Sequence, residues 1–285
     1  MPSPREARVV ANRLEHHVLE WNEHGGPTVV LCHGFLDLAW SFAPLAQALA
    51  RTGLRVVAFD WRGHGETEHV GRGGYYHFPD YVLDLHELLP QLAREPVHLV
   101  GHSMGGTACA YYAGTRPKTL RSLSLIEGLG PPAFTGEAPD RTLAWLDSID
   151  RMRRQPQRPM DDLSQAVQRL RMTNPELPVE LAYVIADKGT MPSASGEGIV
   201  WRFDPLHRTS SPMPFSVEGM LAFLRRIDVP ALIVTGERGF RTDDHDARVR
   251  AIPGARETTI AGVGHMIHWL APDALAAAIG AHVRG

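Results

Sequence analysis

Five short apolar runs, rich in β-branched residues, punctuate the chain: TVVLCH (28–33), LRVVAFD (54–60), PVHLVGH (96–102), LRSLSLIE (120–127) and PALIVTG (230–236). Each is bounded by Gly, Pro or charge. Near-continuous apolarity over so few residues predicts strands buried on both faces of a parallel sheet. Amphipathic, helix-length segments lie between and after them, at 39–51, 76–93, 103–116 and 271–284. In the second of these, Tyr81, Leu85, Leu88, Leu89 and Leu92 recur at helical spacing. Strand–helix alternation over most of the chain predicts an open α/β sheet with right-handed crossovers. RVVANRLEHHVLEW (8–21) adds one or two antiparallel edge strands.

Residues 131–215 break this rhythm. They are rich in Pro, Arg and Met, as in RMRRQPQRPM (151–160), and carry amphipathic helical patches at 140–153, 161–172 and 176–188. No buried strand is evident there. The stretch reads as a helical cap inserted over the carboxyl edge of the sheet, with 1–130 and 216–285 forming the core. Trp145, Trp201 and Phe203 within it are candidate walls of an apolar substrate pocket, or else the cap's own core.

Composition narrows the possibilities. At 285 residues, 44% hydrophobic and 21% charged, the chain has the balance of an ordinary globular protein. No apolar run approaches a membrane span, and MPSPREARVV at the start has no apolar signal core, so neither membrane insertion nor secretion is expected. Two cysteines, Cys32 and Cys109, make no disulfide framework and fit a reducing, cytoplasmic setting. With 29 basic against 32 acidic residues and no basic stripe, nucleic acid is not an expected partner. Although there are 15 His, no His/Cys/Asp group shows metal-ligand spacing. No metal or cofactor is therefore expected.

The chemistry concentrates where strands end. LVGHSMGG (99–106) contains Gly101-His102-Ser103-Met104-Gly105, a G-x-S-x-G nucleophile elbow, with a strand-like run before it and a helix-like segment after. Such a turn needs small residues two before and two after the Ser, and it aims the next helix's free N–H groups at any oxyanion formed there. CHGF (32–35) follows the first buried run and can present the Phe35 N–H beside that of Met104, giving two oxyanion donors. His33 and, in DWRGHG (60–65), His64 read as structural. Cys32 faces away from its neighbour and reads as an inert buried thiol. GVGHMIHW (262–269), between the strand-like ETTIAG and the last helix, offers His265 as general base; His268 reads as packed or solvated.

HGF, DWRGHG, GHSMGG and GHMIH, in this order and spacing, resemble the α/β-hydrolase superfamily over essentially the whole chain. LIEGLGPP (125–132), WRFDP (201–205) and FLRRIDVPALIVTG (223–236) resemble its serine hydrolase-like subgroup. The resemblance implies an eight-stranded, mostly parallel sheet, a helical cap and a Ser–His–acid triad without cofactor. In this architecture the acid usually stands three residues past the first Gly at the end of the 230–236 strand, and counting three on from Gly236 lands on Gly239. Two replacements are available. Glu127 ends the strand beside the nucleophile strand, a position some haloalkane dehalogenases use, and should emerge at the cleft mouth. Asp243, Asp244 and Asp246 lie downstream in TDDHDARVR, which reads as a capped, charged helix start. Glu127 is the preferred acid; a carboxylate that merely bonds cap N–H groups is the alternative.

Together these features point to a serine hydrolase acting on a carboxylic ester or related small-molecule acyl substrate, with Ser103, His265 and Glu127 as its triad. A carbon–carbon bond hydrolase of the same triad, or a receptor that retains the triad but scarcely turns over, fits the same residues. A haloalkane dehalogenase or epoxide hydrolase needs a carboxylate nucleophile, which Ser103 is not.

Overall fold

The computed structural model describes residues 3–93, 95–155 and 157–285. The first two strands, β1 (Arg5–Ala11) and β2 (Leu14–Trp21), form a hairpin. Asn12 and Arg13 form its two-residue loop, both at positive φ, the turn geometry that matches strand twist. The alternation then begins: β3 (Thr28–Cys32), α1 (Ala43–Ala50), β4 (Arg55–Phe59), α2 (Phe78–Leu92), β5 (Val97–His102), α3 (Met104–Thr115) and β6 (Leu120–Ile126). Next come α4 (Ala138–Arg154), α5 (Leu163–Thr173), α6 (Val179–Gly189), β7 (Thr190–Pro192) and β8 (Ile199–Trp201). The chain returns through α7 (Val217–Leu224), β9 (Ala231–Gly236), α8 (His245–Ala251), β10 (Arg256–Ile260), α9 (Ile267–Leu270) and α10 (Pro272–Arg284).

Eight strands make one sheet in the order β1-β2-β4-β3-β5-β6-β9-β10. Every pair from β4 to β10 is parallel, while β2 is antiparallel to both its neighbours. The apolar runs are continuous because both faces are covered. Along β3, Val30 and Cys32 enter the core under α2, α3 and α7, while Val29 and Leu31 enter the core under α1 and α10. Residues alternate in the same way along β4, with Val57 and Phe59 against Val56 and Ala58.

The stretch between β6 and α7 holds the three helices that periodicity predicts. It also holds a two-stranded hairpin, β7–β8, extended by a bridge from Met160 to Ile199, where no strand was expected. Each strand has three residues, and Pro192 ends one of them, too short a run for a period of two to register. Ser216 marks the return to the sheet, its Oγ accepting from the Gly219 N–H at 3.0 Å to cap α7. A third apolar cluster joins Met160, Val167, Leu181 and Ile185 from this stretch to Leu38, just past β3, and to Trp269 in α9. α5 and α6 are thus packed against the segment past β3 and against α9.

Candidate active site

Ser103 stands between β5 and α3 at φ 52° and ψ −118°, a left-handed conformation that costs a non-glycine residue strain. Glycines make the turn possible. A Cβ on Gly101 would lie 2.6 Å from the Gly105 carbonyl oxygen, and one on Gly105 would collide with the carbonyls of Cys32 and His33. The β3 loop therefore runs directly past Ser103, and a Cβ on Gly34 would sit 3.3 Å from that of Ser103. Met104 opens α3, so its N–H is one of the helix's unpaired terminal donors. Phe35 follows Gly34 half exposed, its ring edge-on to His64 and His207. The Ser103 hydroxyl has no hydrogen-bond partner among the described residues.

His265 sits on the loop between β10 and α9, with its side chain 38% exposed. Its Nδ1 lies 3.3 Å from Glu127 Oε2. Glu127, just past β6, also takes up a left-handed conformation, with φ 51°. The expectation that it emerges at the cleft mouth is wrong, because its carboxylate is fully buried. Oε1 accepts from the Gly236 N–H and Oε2 from the Phe240 N–H, each at 2.7 Å. A Cβ on Gly239 would collide with that same carboxylate. The space an acid at position 239 would use is filled by the acid from position 127. The downstream aspartates are elsewhere. Asp244 occupies the N-cap position of α8 without a side-chain capping bond and pairs with Arg248 at 2.9 Å, while Asp243 and Asp246 are exposed. None of the three bonds to His265.

Buried groups hold these loops in place. Asp60, at the end of β4, accepts from the Ala39 N–H at 2.6 Å, the Glu66 N–H at 3.0 Å and His17 Nδ1 at 2.8 Å. Burial alone would raise its carboxyl, but the hydrogen bond and charge of His17 outweigh this and hold it below the usual range. His33 and His64 are structural, as read. The Trp61 N–H donates to His33 Nε2 and the Leu36 N–H to His64 Nε2. Burial, with His207 and His33 close by, pushes the His64 imidazole well below its ordinary range, so it stays a neutral acceptor. Cys32 packs against Cys109, and burial pushes its thiol up, which leaves it inert.

Of the residues read as pocket walls, Trp145 donates to the Tyr75 hydroxyl at 2.9 Å, Trp201 packs on the third cluster, and the Phe203 carbonyl accepts from Gln157. No hydrogen bond or ring contact joins any of the three to Ser103 or His265 among the described residues. Sequence reasoning missed His102 and Asp37. His102 Nε2 donates to the His265 carbonyl at 3.0 Å and so ties the Ser103 turn to the His265 loop. His268 is packed, its ring tilted against those of Phe42 and His102, with Asp37 Oδ2 3.3 Å from its Nε2. Asp37, His102 and His268 thus meet in a buried group that no local spacing announced.

No helix among the described residues is long and apolar enough to cross a membrane. A profile of the alpha/beta hydrolase fold matches residues 27–272. A serine hydrolase-like protein of Danio rerio is 24% identical over 91% of this chain and 82% of its own length. Among solved structures, a thioesterase domain from a curacin biosynthetic pathway superposes with a TM-score of 0.86 at 28% identity, covering 98% of this chain and 99% of its own. A hypothetical protein from Pseudomonas aeruginosa superposes with a TM-score of 0.85 at 32% identity over 98% of both chains. With the eight-stranded sheet, the strained serine at its carboxyl edge and these full-length likenesses, the chain belongs to the α/β hydrolase family and resembles its serine hydrolase-like subgroup.

Proposed function

We propose that this hydrolase cleaves carboxylic esters or related acyl compounds, in the cytoplasm, through a Ser103–His265–Glu127 triad. The observation that carries the reading is the buried Glu127 carboxylate 3.3 Å from His265 Nδ1, on the same sheet edge as the strained Ser103. Ser103 Oγ attacks the acyl carbon while His265 Nε2 takes its proton. Glu127 holds the Nδ1–H tautomer and stabilises the imidazolium. The Phe35 and Met104 N–H groups receive the oxyanion. The proton passes from His265 to the departing alcohol or thiol, and water then releases the acid from the acyl-enzyme. Residues 131–215 act as the cap, with Trp145, Trp201 and Phe203 shaping the acyl pocket. Likeness to a thioesterase supports an activated acyl substrate.

Ser103→Ala tests the assignment. It should abolish labelling by a fluorophosphonate probe and steady turnover of a short-chain aryl ester. Labelling that survives in the Ala variant refutes the nucleophile. Stoichiometric labelling of the unaltered protein without multiple turnover would make it a receptor instead of an enzyme.

A further inference from the structure

Behind the nucleophile lie three buried side chains that the triad does not use: Asp37 on the loop past Phe35, His102 at the end of β5, and His268 in α9. One donor atom from each lies within 4.8 Å of the other two. Asp37 is 7% exposed, His102 1% and His268 0%. Each carries an atom with no hydrogen-bond partner among the described residues: Asp37 Oδ1, His102 Nδ1 and His268 Nδ1. Leaving a polar atom so placed costs about 1–3 kcal/mol. The tautomer of His102 follows from its partner. The His265 carbonyl can only accept, so Nε2 carries the hydrogen and Nδ1 presents its lone pair. Ser41 Oγ, bonded to Asp37 Oδ2 at 2.9 Å, is a neighbouring oxygen.

We propose that Asp37, His102 and His268 form an inhibitory site for a divalent transition-metal ion of the Zn²⁺ class. Two imidazoles and a carboxylate are a donor set such ions favour. The group Glu6, His17 and Glu66 offers no comparable site, since Lys188 and Arg8 already pair its carboxylates, whereas among the described residues no Lys or Arg pairs Asp37, whose Oδ2 meets only Ser41 Oγ and His268 Nε2. Inhibition follows from what the ligands hold. Ligand atoms around tetrahedral Zn²⁺ sit about 2.0–2.2 Å from the metal, hence roughly 3.3 Å apart. Asp37 Oδ2 and His268 Nε2 already stand 3.3 Å apart, so an ion between them replaces their hydrogen bond and takes His102 as its third ligand. Ligation constrains the residue before Ser103, the loop that carries Phe35 and, through the His102–His265 bond, the base. A displacement of about 1 Å at reacting groups costs on the order of 10²-fold in rate.

Equilibrium dialysis of Zn²⁺ against the full chain carrying Ser103→Ala, which is independent of any activity, should find one tightly held equivalent. Adding His268→Asn should weaken it at least about tenfold. If that variant fails to fold, imidazole nitrogen NMR shifts in the Ser103→Ala protein should move at two histidines other than His265. In the unaltered enzyme, saturating Zn²⁺ should lower ester turnover about 10²-fold, reversed by EDTA, an arm that rests on the hydrolase reading while dialysis does not. Absence of a tight equivalent would mean the group is satisfied by water alone, and overturns the site. Binding unaffected by His268→Asn, or centred on His265, overturns it as well.

Discussion

Glu127→Gln isolates the charge of the proposed acid while keeping its shape. In the native protein one carboxylate serves three donors: Gly236 N–H on Oε1, and Phe240 N–H and His265 Nδ1 on Oε2. An amide offers one oxygen, so either orientation turns its NH₂ towards at least one backbone N–H. A buried donor left facing a donor costs about 1–3 kcal/mol, enough to lower Tm by several degrees without unfolding the chain. The kinetic loss should be larger. With the oxygen towards Gly236, the amide N–H faces Nδ1 and the imidazole is driven to the wrong tautomer. With the oxygen towards Phe240 the tautomer survives, but the imidazolium formed in the transition state faces no negative charge. Loss of a triad carboxylate's charge and tautomer control costs about 10⁴-fold in another enzyme, and a partly retained tautomer sets a lower bound nearer 10². Turnover should therefore fall by about 3–5 kcal/mol in activation free energy. Steady-state hydrolysis of a short-chain aryl ester measures it. The fall should lie in kcat with KM nearly unchanged, since the carboxylate is buried beneath His265. A variant within tenfold of the parent, with Asp244→Asn inactive, would refute the reasoning and move the acid to the α8 loop.

Gly239→Ala should reduce turnover although it touches no substrate, because its Cβ would displace the Glu127 carboxylate. Glu127→Gly combined with Gly239→Asp should recover turnover relative to Glu127→Gly alone, and no recovery would count against a shared space. Asp60→Asn should destabilise the fold by about 3 kcal/mol, since it removes the charge beside His17 and its single amide oxygen can serve either Ala39 or His17 and Glu66, not all three. Its pH dependence has a definite sign. Burial lowers the His17 imidazole, but the Asp60 hydrogen bond and charge raise it further, so this contribution is complete below the unfolded histidine value and fades as pH rises through the folded one. The depressed Asp60 carboxyl contributes above the unfolded aspartate value and fails only as pH falls through its folded one. The Tm loss from Asp60→Asn should thus be larger near pH 5 than near pH 8, and the reverse order in thermal melts would show that His17 is neutral.

What could be read from the sequence follows from how local each constraint is. Central strands such as VVLC and HLVG are legible because burial on both faces removes polar residues from the run itself. The serine turn is legible because a strand, a strained residue and a helix start must occupy consecutive positions. β7 and β8 are stabilised by each other and by Met160, none of which lies within a local window. Asp37, His102 and His268 stand 65 and 166 positions apart, so no ligand spacing could expose them; parallel strand order alone brings their loops to one edge.

The acid falls between these cases. The sequence has a glycine where the architecture usually places a carboxylate, and a glutamate at the end of a neighbouring strand, but nothing in either segment says that the two facts are one. In space they are, because positions 127 and 239 compete for one volume beside His265 and only one can hold a side chain there. Glu127 enters that volume from a left-handed backbone that its residue type disfavours. The Gly236 and Phe240 amides, which belong to the loop where the architecture usually places a carboxylate, then hold it. Strain at 127 and the missing side chain at 239 are therefore two sides of one packing arrangement, and a reading confined to either segment sees an unexplained glutamate or an unexplained glycine.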